Sequence, residues 1–499
     1  MKAKVLAAVC AGVLTAAAAA GCSGSGGSSA GEASSAPESR QTETSSAADS
    51  EVSAADSAPY PAAESDAIQE SDSTGAELTS EGEPVLIMDP VDALADKLPD
   101  ERLDITDVRL LCAAPVTETE RQALPSERLF EKKYGGRLVV DAAPKGELWG
   151  RLTAAVMSNE APDLVPTDTA DLFPRAAADR LLVPVDAVVD TSDELWTAAE
   201  EYSAAFNYRG KRYALVFENR PEYVCIYNKN TFRENGLEDP AALYRQGVWS
   251  HGWFETLCRS FTEKGSDRIA IDGEDFAAAL SESCGVPLIT MKGGQVVSNL
   301  DDSRLAETQD WMFSLAEQGL CAEVPQWGIS SGKTLFCPVK LSALELDRAS
   351  AERFGDTGDV MLLPMPKDEE ACISAVPHGF CFPAGSKNPK GTAAYLRCLY
   401  AASEADREAE ERRLTEDCGW SEEMLEMRRE CFRLAQENPV TDFSEGLPLE
   451  IYERLLKGVL GRTMSGGGNA VSWDETVEEL KKQLDFAVMT ANDTEPVGP

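Results

Sequence analysis

Val108-Arg109-Leu110-Leu111-Cys112, Leu138-Val139-Val140-Asp141 and Pro162-Asp163-Leu164-Val165 are three short apolar runs separated by helix-like segments. Each run is too short for a helix and rich in branched side chains, the pattern of a buried strand. Between the first two, Ser126 can N-cap a helix carrying Leu129, Phe130 and Tyr134, stopped by Gly135-Gly136. Residues 147–159 then place Leu148, Trp149, Leu152, Ala155 and Val156 on one stripe, and 169–180 predicts another helix. Strand–helix–strand alternation with connections this short predicts an α/β fold, with parallel-type sheets covered by helices. Ligands of such sheets sit at the carboxyl ends of the strands, here the loops 113–117, 144–146 and 167–170. Thr167 and Asp168 are therefore candidate binding residues; the alternative role for them is a turn or N-cap.

Outward from this region, composition narrows the function. The chain has 499 residues and a formal net charge of −40, with 46 basic against 86 acidic side chains. Phosphate neutralisation needs clustered Lys and Arg, so no nucleic-acid partner is expected. Electrostatic docking onto anionic lipid is disfavoured for the same reason. Two histidines, His251 and His378, leave little for a His-rich metal site or a His-dependent triad. No C-x-x-C occurs, so zinc ribbons and thioredoxin-like sites are not expected, and most cysteines sit in apolar strings as small core residues. No metal and no cofactor is expected.

The N-terminus predicts processing. Lys2 and Lys4 precede an uncharged run, 5–20, shorter than the roughly 20 residues of a permanent span. With Ala19-Ala20-Gly21-Cys22 it forms a signal peptide, 1–21, whose ending resembles a bacterial lipobox, so Cys22 is the expected lipidation site. Residues 22–85 are acidic and rich in Ser and Ala; such a segment cannot bury enough apolar area to offset chain entropy, and is expected to be a disordered tether. At the other end, Ser472-Trp473-Asp474-Glu475 is a capping box, with Trp473, Val477, Leu480, Leu484 and Val488 at helical spacing. Gly466-Gly467-Gly468 lacks a following Lys-Ser/Thr and is expected to be a linker, not a phosphate loop.

Seven stretches occur in a telling order: Ala161-Pro162-Asp163-Leu164-Val165 with Leu181-Leu182-Val183-Pro184-Val185; Arg209-Gly210-Lys211-Arg212-Tyr213 with Tyr227-Asn228-Lys229; Gly247-Val248-Trp249-Ser250; Gly332-Lys333-Thr334-Leu335-Phe336; and Gly385-Ser386-Lys387-Asn388-Pro389. Together they resemble the extracellular solute-binding proteins of ATP-driven (ABC) importers, family 1, the maltose-type group. The resemblance implies a two-lobe, type II periplasmic-binding-protein-like fold with a ligand cleft at the hinge. It implies one lobe of about 105–217 with 365–402, and a second of about 223–362 with 403–490. Residues 213–227 fit a crossing: Leu215-Val216-Phe217, then polar Glu218-Asn219-Arg220-Pro221-Glu222, then a strand-like Tyr223-Val224-Cys225-Ile226-Tyr227. A ligand bridging both lobes would shift the population towards a closed form. The implied partners are a small solute, by family default a carbohydrate, an ABC permease, and the membrane through the lipid anchor.

Departures bear on the ligand. Where the family often places an aromatic ring after the third strand, this chain has Pro166-Thr167-Asp168, and after Phe336 it has Lys340-Leu341-Ser342. Two stacking platforms for a sugar face are thus missing. The further candidates are Arg220, a fork for carboxylate or hydroxyls whose alternative role is a surface ion pair with Glu218 or Glu222, and Glu218 itself. Trp327 lies in a loop and is either a stacking ring or inter-element packing; His378 follows the second expected crossing. Trp249 and Trp253 are expected in the core, and Glu345 and Asp347 on a solvated helix face. An enzyme reading needs two carboxylates across a cleft, for which Glu218, Glu222 and Asp168 are available, but no G-x-S-x-G or H-E-x-x-H is present. A surface lipoprotein that binds another protein is the third reading.

Overall fold

The computed structural model describes residues 90–113, 124–168, 172–265, 267–273, 275–367, 371–465 and 468–493, and two short strands before them. Those strands, Ala76–Leu78 and Pro84–Leu86, pair antiparallel with each other in a unit of their own. The expected leader, Cys22 and most of the tether lie outside the described residues, as do Gly466 and Gly467.

The fold is α/β. The strand Asp107–Cys112 runs parallel to Arg137–Ala142, and Leu110 bridges to Leu164 in the same sense. The helix Pro125–Tyr134 connects the first two strands, burying Leu129, Phe130 and Tyr134, and closes on Gly135 in the left-handed conformation. Its start differs from expectation. Leu124 is the N-cap residue, Pro125 opens the first turn, and the Ser126 N–H donates to the Asp406 carboxylate at 3.0 Å. A carboxylate from 280 residues away thus does the work of a local cap. The helix expected over 169–180 is confined, among the described residues, to Arg175–Ala178.

Two larger sheets organise the rest. In one, the long strand Ile373–Pro383 pairs antiparallel with Ala214–Pro221, Val165–Pro166 and Leu182–Val183, and parallel with Pro439–Val440. In the other, the order is Ile269–Ile271, Thr334–Lys340, Tyr223–Asn228, Val360–Leu363. Parallel pairing holds there only between Ile269–Ile271 and Thr334–Lys340; the pairs around Tyr223–Asn228 are antiparallel. Apolar periodicity identifies a strand but not its neighbour's direction, which is why the sheets are more mixed than the sequence suggests.

Between His378 and Gly379 the long strand shifts register against Ala214–Pro221. A Cβ on Gly379 would lie 2.1 Å from the Leu215 carbonyl oxygen, so the backbones approach too closely for any side chain. The chain passes from one sheet to the other within three residues: Pro221 is opposite Ala375, and Tyr223 is opposite Lys340. Glu222 ties the two together, its N–H donating to Ser374 O and its carbonyl accepting from Leu341 N, both at 2.8 Å.

Three apolar cores result. One gathers the second sheet with Phe254, Phe261, Phe336 and residues of the helix Glu422–Glu437. Another joins Val108, Phe130, Trp196, Phe217, Phe380 and Tyr395. The third packs Phe173, Phe206, Leu288, Val296 and Phe443 against the C-terminal helix Trp473–Asp493. That helix matches its expected stripe: Trp473, Leu480 and Leu484 are buried, and the Ser472 hydroxyl accepts from Glu475 N–H at 3.3 Å. The eleven described cysteines are free thiols, and all but Cys284, Cys321 and Cys372 are buried. Trp249 is core, its indole N–H donating to Pro364 O, whereas Trp253 is exposed.

Glu345 corrects the expectation of a solvated face. It is buried and paired with Arg428 at 2.6 Å, a partner 83 positions on that no helical period reveals. Asp347 caps the short helix Arg348–Glu352 through the Ser350 N–H. No described helix is long and apolar enough to cross a membrane.

Candidate ligand cavity

Around the Glu222 crossing lies a cavity of about 320 Å³. Thr167 and Asp168 enter it from the end of the Val165–Pro166 strand, and Ala375, Val376 and Pro377 from the long strand. Glu222 and Tyr223 line it at the crossing, and Lys340 from the last position of Thr334–Lys340. Glu282 closes it from the helix Phe276–Glu282, and Asp442, Ser444, Glu445 and Tyr452 from the segment after Pro439–Val440. Both sheets therefore supply its walls. Gly446 allows this last segment to seat, since a Cβ there would lie 1.7 Å from Phe173 O.

Polar contacts hold the walls. The Thr167 hydroxyl donates to Pro377 O at 2.7 Å, and its N–H donates to Gly379 O at 3.0 Å. Lys340 Nζ is 2.8 Å from Glu222 Oε1 and 5.4 Å from the centre of the Tyr223 ring. The Glu222 carboxylate holds the Lys340 ammonium above its usual pKa. The Ser374 hydroxyl donates to Glu282 and, at 3.4 Å, to Glu222 Oε2. Burial, reinforced by the Glu222 and Asp442 carboxylates, pushes Glu282 well above the usual carboxylate range. Burial also raises Asp442, which accepts the Ile289 and Ser444 N–H groups. Phe173, Phe206 and Phe443 form an aromatic floor, with ring centroids 4.9 to 5.9 Å apart.

Of the residues singled out from sequence, Thr167 and Asp168 line this cavity. Glu218, Arg220 and His378 do not. Glu218 and His378 are opposite each other in the strand pair and are buried. Arg220 Nε donates to Glu218 Oε1 at 2.8 Å and its guanidinium lies 3.9 Å from Glu410; Glu410 in turn meets Arg428 at 3.0 Å. Burial pushes the Glu218 carboxyl up, with the Arg220 guanidinium opposing it. Trp327 is elsewhere, half-exposed in a left-handed backbone conformation, with the Arg353 guanidinium 5.3 Å from its ring centre. Sequence reasoning did not select Tyr223, Glu282, Lys340, Asp442, Glu445 or Tyr452. The polar break after Phe217 was a usable signal for the crossing, but strand alternation restarts where the chain changes sheet, so facing could not be counted through it.

A larger depression, about 690 Å³, lies beside the Glu422–Glu437 helix between Tyr244, Trp249, Met365 and Met427. None of the crossing residues lines it, so it is not the candidate site. Among the described residues, no cluster of His, Cys, Asp and Glu has the geometry of a metal site.

A family model described as bacterial extracellular solute-binding protein matches residues 128–409, more than half of the chain. The chain belongs to this family. Its solute-binding fold is of the two-lobe, type II kind, and the family's location is extracytoplasmic. The GacH receptor of Streptomyces glaucescens, solved unliganded and with acarbose, is 18% identical with a TM-score of 0.52, covering 77% of this chain and 98% of that one. The galacto-N-biose/lacto-N-biose I-binding protein of Bifidobacterium longum, solved with lacto-N-biose, is 15% identical with a TM-score of 0.56 over the same shares. MalE from Xanthomonas citri, a sugar-binding protein, is 15% identical with a TM-score of 0.54, covering 77% and 98%. No curated protein matches the sequence significantly. At these identities the solved structures speak for the fold of this solute-binding protein, not for its ligand.

Proposed function

We propose that this solute-binding protein is the receptor of an ABC importer, captures a small carbohydrate-type solute in the Glu222 cavity, and hands it to the permease. The observation that carries the reading is the cavity itself, lined from both sheets where the chain crosses between them. The lobes are about 105–217 with 365–402, and 223–362 with 403–490; a solute touching both stabilises the closed arrangement. At about 320 Å³ the cavity is at the small end of ligand sites and suits a mono- or disaccharide-sized body. Solved relatives of the same fold carry acarbose and lacto-N-biose, which makes a sugar the first class to test. Asp168, Glu222, Tyr223 and Glu445 are the proposed contacts, while Glu218, Arg220 and His378 support the crossing from outside the cavity. Lipid attachment at Cys22 and an extended tether over 22–85 would keep the receptor beside its permease.

Melting of the refolded, ligand-stripped protein against mono- and oligosaccharides, amino acids, peptides and polyamines tests this. A ligand at 100 times its Kd stabilises by about 2.7 kcal/mol, a shift of a few degrees or less at this size. A dose-dependent shift with one class supports the receptor reading. Silence across the panel from a cooperatively folding protein shifts the assignment to a lipoprotein that binds another protein.

A further inference from the structure

Most described cysteines are buried core filler, and the exceptions are informative. Of the eleven described thiols, only Cys284, Cys321 and Cys372 have some access to solvent. Two of these three, Cys284 and Cys372, line one depression of about 490 Å³ together with His251, Arg304, Trp311 and Asn438. It shares no lining residue with the Glu222 cavity.

Contacts with the backbone bring the two cysteines to one turn. The Cys372 thiol donates to Ser283 O at 3.5 Å, and a Cβ on Gly285 would lie 3.6 Å from the same sulfur. The residues on both sides of Cys284 thus meet Cys372 Sγ. Cys284 itself donates only weakly, to Val286 O at 3.6 Å. Two positions along each segment, the Ser374 hydroxyl donates to the Glu282 carboxylate, which fixes the start of the long strand against the end of the Phe276–Glu282 helix. A disulfide needs Cα atoms about 4.4–6.8 Å apart with the Cβ atoms facing. With one sulfur already seated against both neighbours of the other cysteine, rotation about the two Cα–Cβ bonds is the main movement left.

We infer that Cys284 and Cys372 form a reversible disulfide that clamps the start of the strand Ile373–Pro383 to the turn after the Phe276–Glu282 helix. The family's extracytoplasmic location puts these thiols where disulfides form and persist. The oxidant is a second disulfide, of a small molecule or of a thiol oxidoreductase. A Cys372 thiolate attacks one of its sulfurs and releases a thiolate; Cys284 then attacks Cys372 Sγ and releases the other. Two electrons and the two thiol protons end on the oxidant, now a pair of thiols. Burial pushes both cysteines up, Cys284 to about 11, while the Lys367 and Arg304 charges oppose it at Cys372; Cys372 is therefore the attacking thiol, and the exchange is slow at neutral pH. Cys372 ends the segment that joins the two sheets after Leu363, so the bridge anchors one of the two joints. It closes a loop of about 90 residues, a length at which a cross-link restrains the unfolded chain strongly.

The test incubates the full chain, folded and fully reduced, with oxidised glutathione, followed by alkylation, intact mass and peptide mapping. The mass should fall by two hydrogens, with one new cross-linked peptide joining Cys284 to Cys372, and dithiothreitol should restore it. The oxidised form should melt several degrees above the reduced one. Cys284→Ser and Cys372→Ser should each abolish the cross-link and the melting difference, leaving glutathione on the remaining thiol, whereas Cys321→Ser should change neither. Stable glutathione adducts on both cysteines of the parent, a cross-link through Cys321, or a bridge that forms only in denaturant overturns the inference. Equal melting of the bridged and reduced forms overturns the clamp.

Discussion

Asp406 illustrates how one residue's chemistry is set from a distance. Its carboxylate accepts the Ser126 N–H at the start of the Pro125–Tyr134 helix, and burial pushes its pKa up to about 6. A carboxyl raised on folding binds more protons in the folded than in the unfolded chain between roughly pH 4 and 6. Stability from this group is therefore greatest below that window and declines as pH rises through it, by roughly 2–3 kcal/mol in all. Asp406→Asn keeps an acceptor for Ser126 without the charge. The difference in unfolding free energy between it and the parent should grow in the variant's favour from pH 4 to 6; a pH-independent difference would show that Asp406 is not titrating there. Tyr223 gives a complementary expectation. Tyr223 lines the cavity, and Tyr223→Phe should weaken solute binding while changing stability by no more than about 1.5 kcal/mol. A large loss of stability in chemical denaturation would instead reveal a structural role for the hydroxyl.

Among elements, the Glu422–Glu437 helix is the one that grips the crossing. The Gln436 side chain accepts from Asn219 N–H at 3.3 Å and donates back to Asn219 O, pairing with the strand as a neighbouring backbone would. One turn or more earlier, Arg428 meets Glu345 at 2.6 Å and Glu410 at 3.0 Å, and Glu410 lies 3.9 Å from Arg220. Removing one member of such a buried set leaves its partners charged and unmatched, so Arg428→Met should cost about 3–5 kcal/mol, read from denaturant midpoints. A change of under about 1 kcal/mol would mean the acids there take up protons without strain. In the strand pair itself, Gly379→Ala should be among the most damaging single changes outside the cavity. Its Cβ would meet the Leu215 carbonyl at 2.1 Å, so the two backbones must separate; soluble yield and melting temperature report the outcome.

For the whole molecule, the two sheets are joined by Pro221-Glu222-Tyr223 and by the segment between Leu363 and Ile373, with Pro439–Val440 returning alongside the latter strand. If a solute closes lobes across these joints, small-angle scattering should give a smaller radius of gyration with ligand than without, and an unchanged radius would argue against closure. Much of this architecture was legible early. The strand–helix alternation from Val108 to Val165, the capped stripe of Trp473 to Leu484 and the polar break after Phe217 are local patterns, because helix and strand periods are properties of neighbouring residues. Thr167 and Asp168, the two sequence candidates that line the cavity, followed from the rule that sheet ligands sit beyond strand ends. Arg220 and Glu218 stand out in the sequence as polar residues at the crossing, but only packing shows them paired with each other, with Arg220 beside Glu410, and outside the cavity. Glu282, Lys340, Asp442 and Glu445 come together with Glu222 from separate stretches of chain, and no periodicity links them. The sequence alone thus determined the class of fold, the family and where the chain changes sheet, since these depend on short-range pattern and ordered motifs. Which carboxylates share one small cavity was decided by the tertiary structure, because that follows from how apolar faces far apart in the chain pack against one another.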